Sequence, residues 1–239
     1  MSESARSLLG PAPAGAVRWT LGKLLHWAMR AARLHRYDNY RLENVLGMRV
    51  LVLPSVSNPK LLRTGSFFAQ CLDASITTGR DVLDMGTGSG VCALFAARHA
   101  NRVVAVDINK AAVRCAGINA AINHLDHRID VRHGDLFGPV AGERFDLVLF
   151  NPPFLLGAPR DERDAAWRSS DVAARFAGSL DAHLAPRGTA LLLLSTFGDA
   201  CELFVDELRS RDFLLSVHAR RHFVNETVTL LRVTRSADT

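Results

Sequence analysis

The stretch "DVLDMGTGSG", residues 81–90, reads as a short apolar strand running into a turn built on Gly86, Gly88 and Gly90. Glycine lets a backbone adopt positive φ and approach a ligand closely. A glycine-rich turn from strand to helix is where doubly wound sheets bind nucleotides. The dinucleotide spacing G-x-G-x-x-G is absent, because its third position, counted from Gly86, falls on Val91. Asp84 stands just before the loop. A carboxylate there repels a pyrophosphate and suits a cationic ligand.

Working outward, "VVAVDIN" carries Asp107, 23 residues after Asp84, and "HGDLF" carries Asp135. At a strand end Asp107 can accept both hydrogens of a ribose diol, or it can share in capping the next helix with Asn109. Asp135 can accept from an adenine amine, or serve as an ordinary turn acid. Three acids and a glycine loop at successive strand ends form a coherent pocket for a cationic nucleoside. S-adenosylmethionine is such a ligand, with an ammonium, a sulfonium and no phosphate.

From residue 81 onward apolar strands alternate with amphipathic helices. After "DVLDM" a helix starts near Ser89; "RVVAVDI" leads to a helix of about 110–123; "RIDVRHGD" and "RFDLVLF" follow. Then come a helix within 165–184, "TALLLLS", a helix near 199–210, "FLLSVHA" and "ETVTLLRV". This alternation predicts βαβ units and a mainly parallel sheet with helices on both faces. Upstream, "GMRVLVLP" (47–54) reads as a strand and "NPKLLRTGSFFAQCLDAS" as a turn entering a helix. The apolar run "FDLVLFNPPFLLG", 145–157, breaks at Asn151, Pro152, Pro153 and Phe154. Two prolines cannot pair in a central ladder, so the chain must leave the sheet there.

A chain of 239 residues, 48% hydrophobic and 22% charged, fits one large domain or a domain with an appendage. Of its 29 Lys/Arg and 24 Asp/Glu, eight and three lie in residues 1–50, so residues 51–239 balance at 21 against 21. The excess charge thus sits in an N-terminal arm. Residues 1–16, rich in Ser, Ala, Gly and Pro, are expected to be poorly ordered. From Val17 to about Arg36 the spacing predicts an amphipathic cationic helix, either packed on the domain or contacting a partner, a membrane or RNA. The expected division is therefore an arm over 1–46 and a domain over 47–239. No apolar run reaches the roughly 18 residues needed to span a bilayer, and "MSESARSLLGPAPAG" lacks the cationic start and apolar centre of a secretory signal. The cytoplasm is the expected location. Cys71, Cys92, Cys115 and Cys201 are scattered, which suggests buried thiols and no metal site.

Residues 81–154 resemble the class I S-adenosylmethionine-dependent methyltransferases, with "DVLDMGTGSG", "VVAVDIN", "GDLF" and "NPPF" in the family's order. The resemblance implies a Rossmann-like, seven-stranded, mainly parallel sheet whose last strand runs antiparallel. It implies that Asp84, Gly86, Gly88 and Gly90 bind the methionine part of S-adenosylmethionine, Asp107 the ribose, Ile108 an adenine face, and Asp135 with Leu136 the adenine edge. Thr64, Thr87 and Asn151 join the cofactor-binding set. "NPPF" is the signature of enzymes that methylate a planar nitrogen, which places Asn151, Pro152, Pro153 and Phe154 at the catalytic centre. Such a nitrogen is a weak nucleophile because its lone pair is delocalised. Two acceptors, the Asn151 side-chain oxygen and the Pro152 carbonyl, would hold its hydrogens and leave the lone pair facing the methyl group, while Phe154 offers a flat surface.

Residues 50–200 also look like the HemK-type enzymes that methylate a glutamine of translation release factors, in particular their short branch. Phe154 replaces the usual Tyr, and Arg168, Ser169 and Ser170 stand where glycines are expected. A protein glutamine is the favoured acceptor. An RNA guanine and a small-molecule amine or amide are the alternatives, and a small partner subunit or a homo-oligomer is possible. A catalytically lapsed binding scaffold is the reading from another class. Trp167 suits core packing or a substrate wall, and "RDERD", 160–164, a solvated loop or a lid.

Overall fold

A computed structural model describes residues 7–10, 39–158, 168–223 and 226–236. The predicted cationic helix over Val17–Arg36, the "RDERD" loop and Trp167 lie outside the described residues.

The chain first forms a hairpin, β1 (Arg41–Val45) and β2 (Met48–Val52), paired antiparallel with Val45 opposite Met48. The turn residues Leu46 and Gly47 have φ of 52° and 90°, the pairing whose twist matches that of the flanking strands. The sequence pattern yields only β2; β1, with its exposed Leu42 and charged neighbours, escapes the alternation rule. Three short helices follow, α1 (Pro59–Leu62), α2 (Thr64–Gln70) and α3 (Ala74–Thr77), where the sequence reading expects one. Asn58 starts α1 by accepting from Lys60 N and Leu61 N. Arg63, at φ 61°, then breaks the helix before α2.

The alternating part comprises β3 (Asp81–Met85), α4 (Val91–Ala96), β4 (Arg102–Asp107), α5 (Lys110–Ile122), β5 (Ile129–His133), β6 (Phe145–Phe150), and the short pair β7 (Leu155–Leu156) and β8 (Arg168–Ser169). It continues through α6 (Val172–His183), β9 (Leu184–Ser195), α7 (Cys201–Arg209), β10 (Phe213–His222) and β11 (Thr227–Arg235). Seven strands form one sheet in the order β10-β11-β9-β6-β3-β4-β5. Neighbours from β9 to β5 run parallel, whereas β11 is antiparallel to both β9 and β10. The last strand is thus the antiparallel one, as the resemblance implies. Val82, Leu83, Val103, Val104, Val148 and Leu149 are fully buried, consistent with central strands covered on both faces.

The order turns about β3: β4 and β5 lie to one side, β6 and β9 to the other. With right-handed crossovers, α4 and α5 cover one face and α6 the opposite one. The switch point between β3 and β6 leaves a crevice at the strands' carboxyl ends.

Two features lie outside the sequence reading. Asn119 of α5, fully buried, accepts from Leu51 N and donates to Leu51 O, both at 2.7 Å, and donates to Ser89 O at 2.8 Å. One amide therefore ties the hairpin and the glycine loop to α5. Of the segment 1–16, the described residues 7–10 are docked on the domain. Leu8 and Leu9 are buried, Leu9 O accepts from Thr229 Oγ1 at 3.0 Å, and Ser7 O and Leu8 O accept from Arg220.

Candidate active site

A cavity occupies the switch-point crevice. Every residue that the sequence assigns to the cofactor or the catalytic centre lines it except Gly90. Gly90 instead caps α4 at φ 80°, where a Cβ would lie 3.1 Å from Ala116 Cα, so it serves the packing of α4 on α5. Gly86 and Gly88, at φ 63° and 57°, are the glycines that shape the cavity wall.

Asp84 is the penultimate residue of the buried strand β3 and is 4% exposed. Its Oδ2 accepts from Thr87 Oγ1 at 2.6 Å and from Ala93 N at 3.0 Å. Burial pushes its carboxyl up to about 7, against the pull of those two bonds and with a smaller push from Asp107. A carboxyl held there gains from any cation that enters the cavity.

Asp107 sits at the end of β4, with Oδ2 accepting from Gly88 N at 2.8 Å and Oδ1 from Asn109 N at 2.9 Å. Burial raises its carboxyl, and the Asn109 and Gly88 N–H bonds oppose the rise. Capping of α5 falls to Asn109, whose Oδ1 accepts from Ala111 N at 2.8 Å. Asp107 thus braces the glycine loop and retains lone pairs toward the cavity. Ile108 beside it is 56% exposed, an apolar face at the rim.

Asp135 lies after β5, and Arg175 of α6 clasps it: Nη1 reaches Oδ2 at 2.7 Å, and Nη2 reaches Oδ1 and Oδ2 at 3.0 and 2.8 Å. Asp171 holds the same guanidinium from the other side at 3.3 Å. Sequence reading misses Arg175, because 40 residues separate it from Asp135 and no local pattern joins them. It also misses the wall formed by Ser55, Val56 and Pro59 after β2. The "SVSNP" turn signal marks that loop without revealing that Asn109 Nδ2 draws it in by donating to Ser55 O at 3.2 Å.

At the end of β6 the chain leaves the sheet through Asn151. The Asn151 Oδ1 atom is buried and has no hydrogen-bond partner. A buried amide oxygen without a donor is costly, and this one belongs to a residue on the cavity wall. Phe154 is only 8% exposed, so it offers the cavity an edge of a packed ring. Its position is rigidly set. Phe154 O accepts from Ala200 N at 3.0 Å, Asp199 Oδ1 accepts from Leu156 N at 2.7 Å, and a Cβ on Gly198 would stand 2.2 Å from Phe154 O.

Cys92, Cys115 and Cys201 are buried, with thiols raised by burial, to about 11 for Cys115 and about 12 for Cys201. Among the described residues no three His, Cys, Asp or Glu side chains gather as a metal site, and no helix is long and apolar enough to cross a membrane.

Comparison with known proteins bears on this geometry. The family model of the methyltransferase small domain matches residues 48–210. The ribosomal protein uL3 glutamine methyltransferase of Bradyrhizobium diazoefficiens is 36% identical over 140 residues, covering 53% of this chain and 43% of that protein. A putative protein N5-glutamine methyltransferase of Methanocaldococcus jannaschii is 32% identical over 151 residues, covering 59% of this chain and 74% of that protein. Among solved structures, a T. thermophilus 16S rRNA methyltransferase in complex with AdoMet and guanosine aligns with a TM-score of 0.60 at 23% identity, over 82% of this chain and 50% of that one. The chain therefore spans less than half the length of the Bradyrhizobium relative, and the likeness to the T. thermophilus structure is one of fold.

Proposed function

Because the chain belongs to the methyltransferase small domain family, we propose that it is an S-adenosylmethionine-dependent N-methyltransferase acting on the side-chain amide of a protein glutamine. The orphaned Asn151 Oδ1 on the cavity wall carries this reading. The names of the Bradyrhizobium and Methanocaldococcus relatives support glutamine as the acceptor.

The cavity residues fit the cofactor. Asp84 and the Gly86–Gly88 loop would hold its cationic methionine part, Asp107 the ribose hydroxyls, Ile108 an adenine face, and Asp135 with Leu136 the adenine edge. Bound there, S-adenosylmethionine supplies an electrophilic methyl group on a sulfonium. The chain's own part is to orient the acceptor. Asn151 Oδ1 accepts one N–H of the glutamine amide and the Pro152 carbonyl the other, which fixes the amide plane and leaves the nitrogen lone pair facing the methyl group. The same two oxygens stabilise positive charge growing on nitrogen, so no strong base is needed beforehand. Pro152 and Pro153 restrict the backbone that aims them. Such an acceptor would place the enzyme in the cytoplasm.

A base amine is the second reading, since the T. thermophilus fold neighbour was solved with guanosine and the same acceptor pair suits an exocyclic amine. Incubating the purified chain with methyl-labelled S-adenosylmethionine and an extract of cells lacking the gene separates the readings. Label in protein, recovered as N5-methylglutamine after digestion, is expected. Label confined to RNA or to small molecules would replace the acceptor, and no label beside intact cofactor binding would leave a scaffold.

A further inference from the structure

The strand order lays the site out as a line along the carboxyl edge of the sheet. Asp135 follows β5, Asp107 ends β4, the glycine loop follows β3 and Asn151 follows β6. Past β6 the same edge continues with the end of β9, the start of β11 and the end of β10, because Ser195 pairs with Val228 and His222 with Thr227. The acids, the glycine loop, Ile108 and Leu136 proposed for the cofactor thus lie on one side of Asn151. The other side is left for the acceptor.

On that far side two exposed arginines are laid on aromatic rings. Arg63 immediately precedes Thr64 of the cavity wall, and its Cζ lies 5.2 Å from the centre of the Phe223 ring. Arg221 lies 4.7 Å from the centre of the Phe67 ring in α2, the helix that begins at Thr64. Neither guanidinium makes a hydrogen bond or ion pair with a described residue. Arg63 feels the charge of Glu226, but that carboxylate is bonded to Ser195 Oγ. A guanidinium held over a ring face by cation–π attraction still has N–H groups to offer a carboxylate.

We propose that Arg63 and Arg221 dock acidic side chains of the acceptor protein, close in sequence to the methylated glutamine. This rests on the glutamine reading. Three strand spacings separate β6 from β10, about 14 Å. An extended chain covers about 3.4 Å per residue, so the acidic residues stand about three to five positions from the glutamine. A protein is favoured over RNA because a phosphate track needs basic residues spread along it, and residues 51–239 balance at 21 basic against 21 acidic.

The test uses the full chain and short fluorescent peptides with one glutamine. Two aspartates stand at the stated spacing on either side of it, with Asn-for-Asp peptides and an oligouridylate as comparators. Binding is read by anisotropy for the wild type, Arg63→Asn, Arg221→Gln and the double variant. Asn is chosen at 63 because it tolerates the left-handed backbone. Unchanged S-adenosylhomocysteine affinity shows that a variant is folded. An acidic peptide should bind about tenfold tighter than its neutral twin, each single variant losing about threefold and the double variant the whole difference. Equal binding of acidic and neutral peptides, or a preference that survives in the double variant, overturns the docking surface. Arginine-dependent binding of oligouridylate alone assigns the surface to RNA and overturns it too. Methyl transfer to the same peptides keeps the two proposals apart. Transfer without charge preference leaves the glutamine reading and removes the docking surface, whereas charge-dependent binding without transfer does the reverse.

Discussion

Replacing Asp84 by Asn should stabilise the cofactor-free protein at neutral and alkaline pH while abolishing its function. Asp84 is buried, and its carboxyl is pushed up to about 7, whereas an unfolded chain releases that proton near pH 4, at about 3.9. Below pH 4 both states hold the proton, and the contribution to stability is fully present. As pH climbs from 4 to 7 the unfolded chain sheds a proton that the folded chain keeps. Stability therefore falls by about 1.4 kcal/mol per unit, on the order of 4 kcal/mol in all, and the loss is complete above 7. Asn has no proton to lose. Both hydrogen bonds of Asp84 end on Oδ2, so one amide oxygen can keep the bonds from Thr87 and Ala93. Urea unfolding of the wild type and Asp84→Asn without cofactor, at pH 5 and pH 8, reads the difference and cancels other titrating groups. The variant's advantage should grow by about 3 kcal/mol between the two. Parallel behaviour, or a variant less stable than wild type at pH 8, would refute the claim that a buried charge is held for a cationic ligand.

Other outcomes follow from the packing. Asn119→Ala strips partners from Leu51 N, Leu51 O and Ser89 O and should cost about 3 kcal/mol in urea unfolding; a loss under 1 kcal/mol would show that the hairpin does not depend on it. Gly198→Ala drives a methyl against the Phe154 backbone and should cut turnover about a hundredfold by shifting the acceptor loop, at a cost of about 1–3 kcal/mol in stability; undiminished turnover would mean that the loop position is not critical. Leu9→Ala should cost about 2 kcal/mol if residues 7–10 dock as described, and no loss would return that segment to the solvent.

Much of the fold is legible in the sequence because the parallel strands are buried on both faces and read as largely apolar runs, as in "VLDM", "VVAV" and "DLVLF". The glycine loop and the double proline are equally local: positive φ and the loss of an N–H belong to the residues themselves. What escapes is set by distant partners. Arg175 meets Asp135 only because α6 crosses the sheet edge, and Asn119 looks like any polar residue of α5 until it faces Leu51 and Ser89. Gly90 belongs to the glycine signature by spacing, yet its hydrogen faces Ala116. The docking of Leu8 and Leu9 on Arg220 and Thr229 is likewise invisible in a segment of turn-forming composition.

The most direct test of the account is the pair of values measured on Asn151→Ala, turnover on the methyl acceptor and affinity for S-adenosylmethionine. Loss of the buried acceptor oxygen should lower turnover by about 100-fold or more, the cost of removing one group that meets growing charge, and lower cofactor affinity by only about threefold, since Asp84 and Asp107 remain although Asn151 also belongs to the cofactor-binding set. Turnover unchanged, or turnover and cofactor affinity falling by the same factor, would contradict the assignment of Asn151 to the substrate nitrogen.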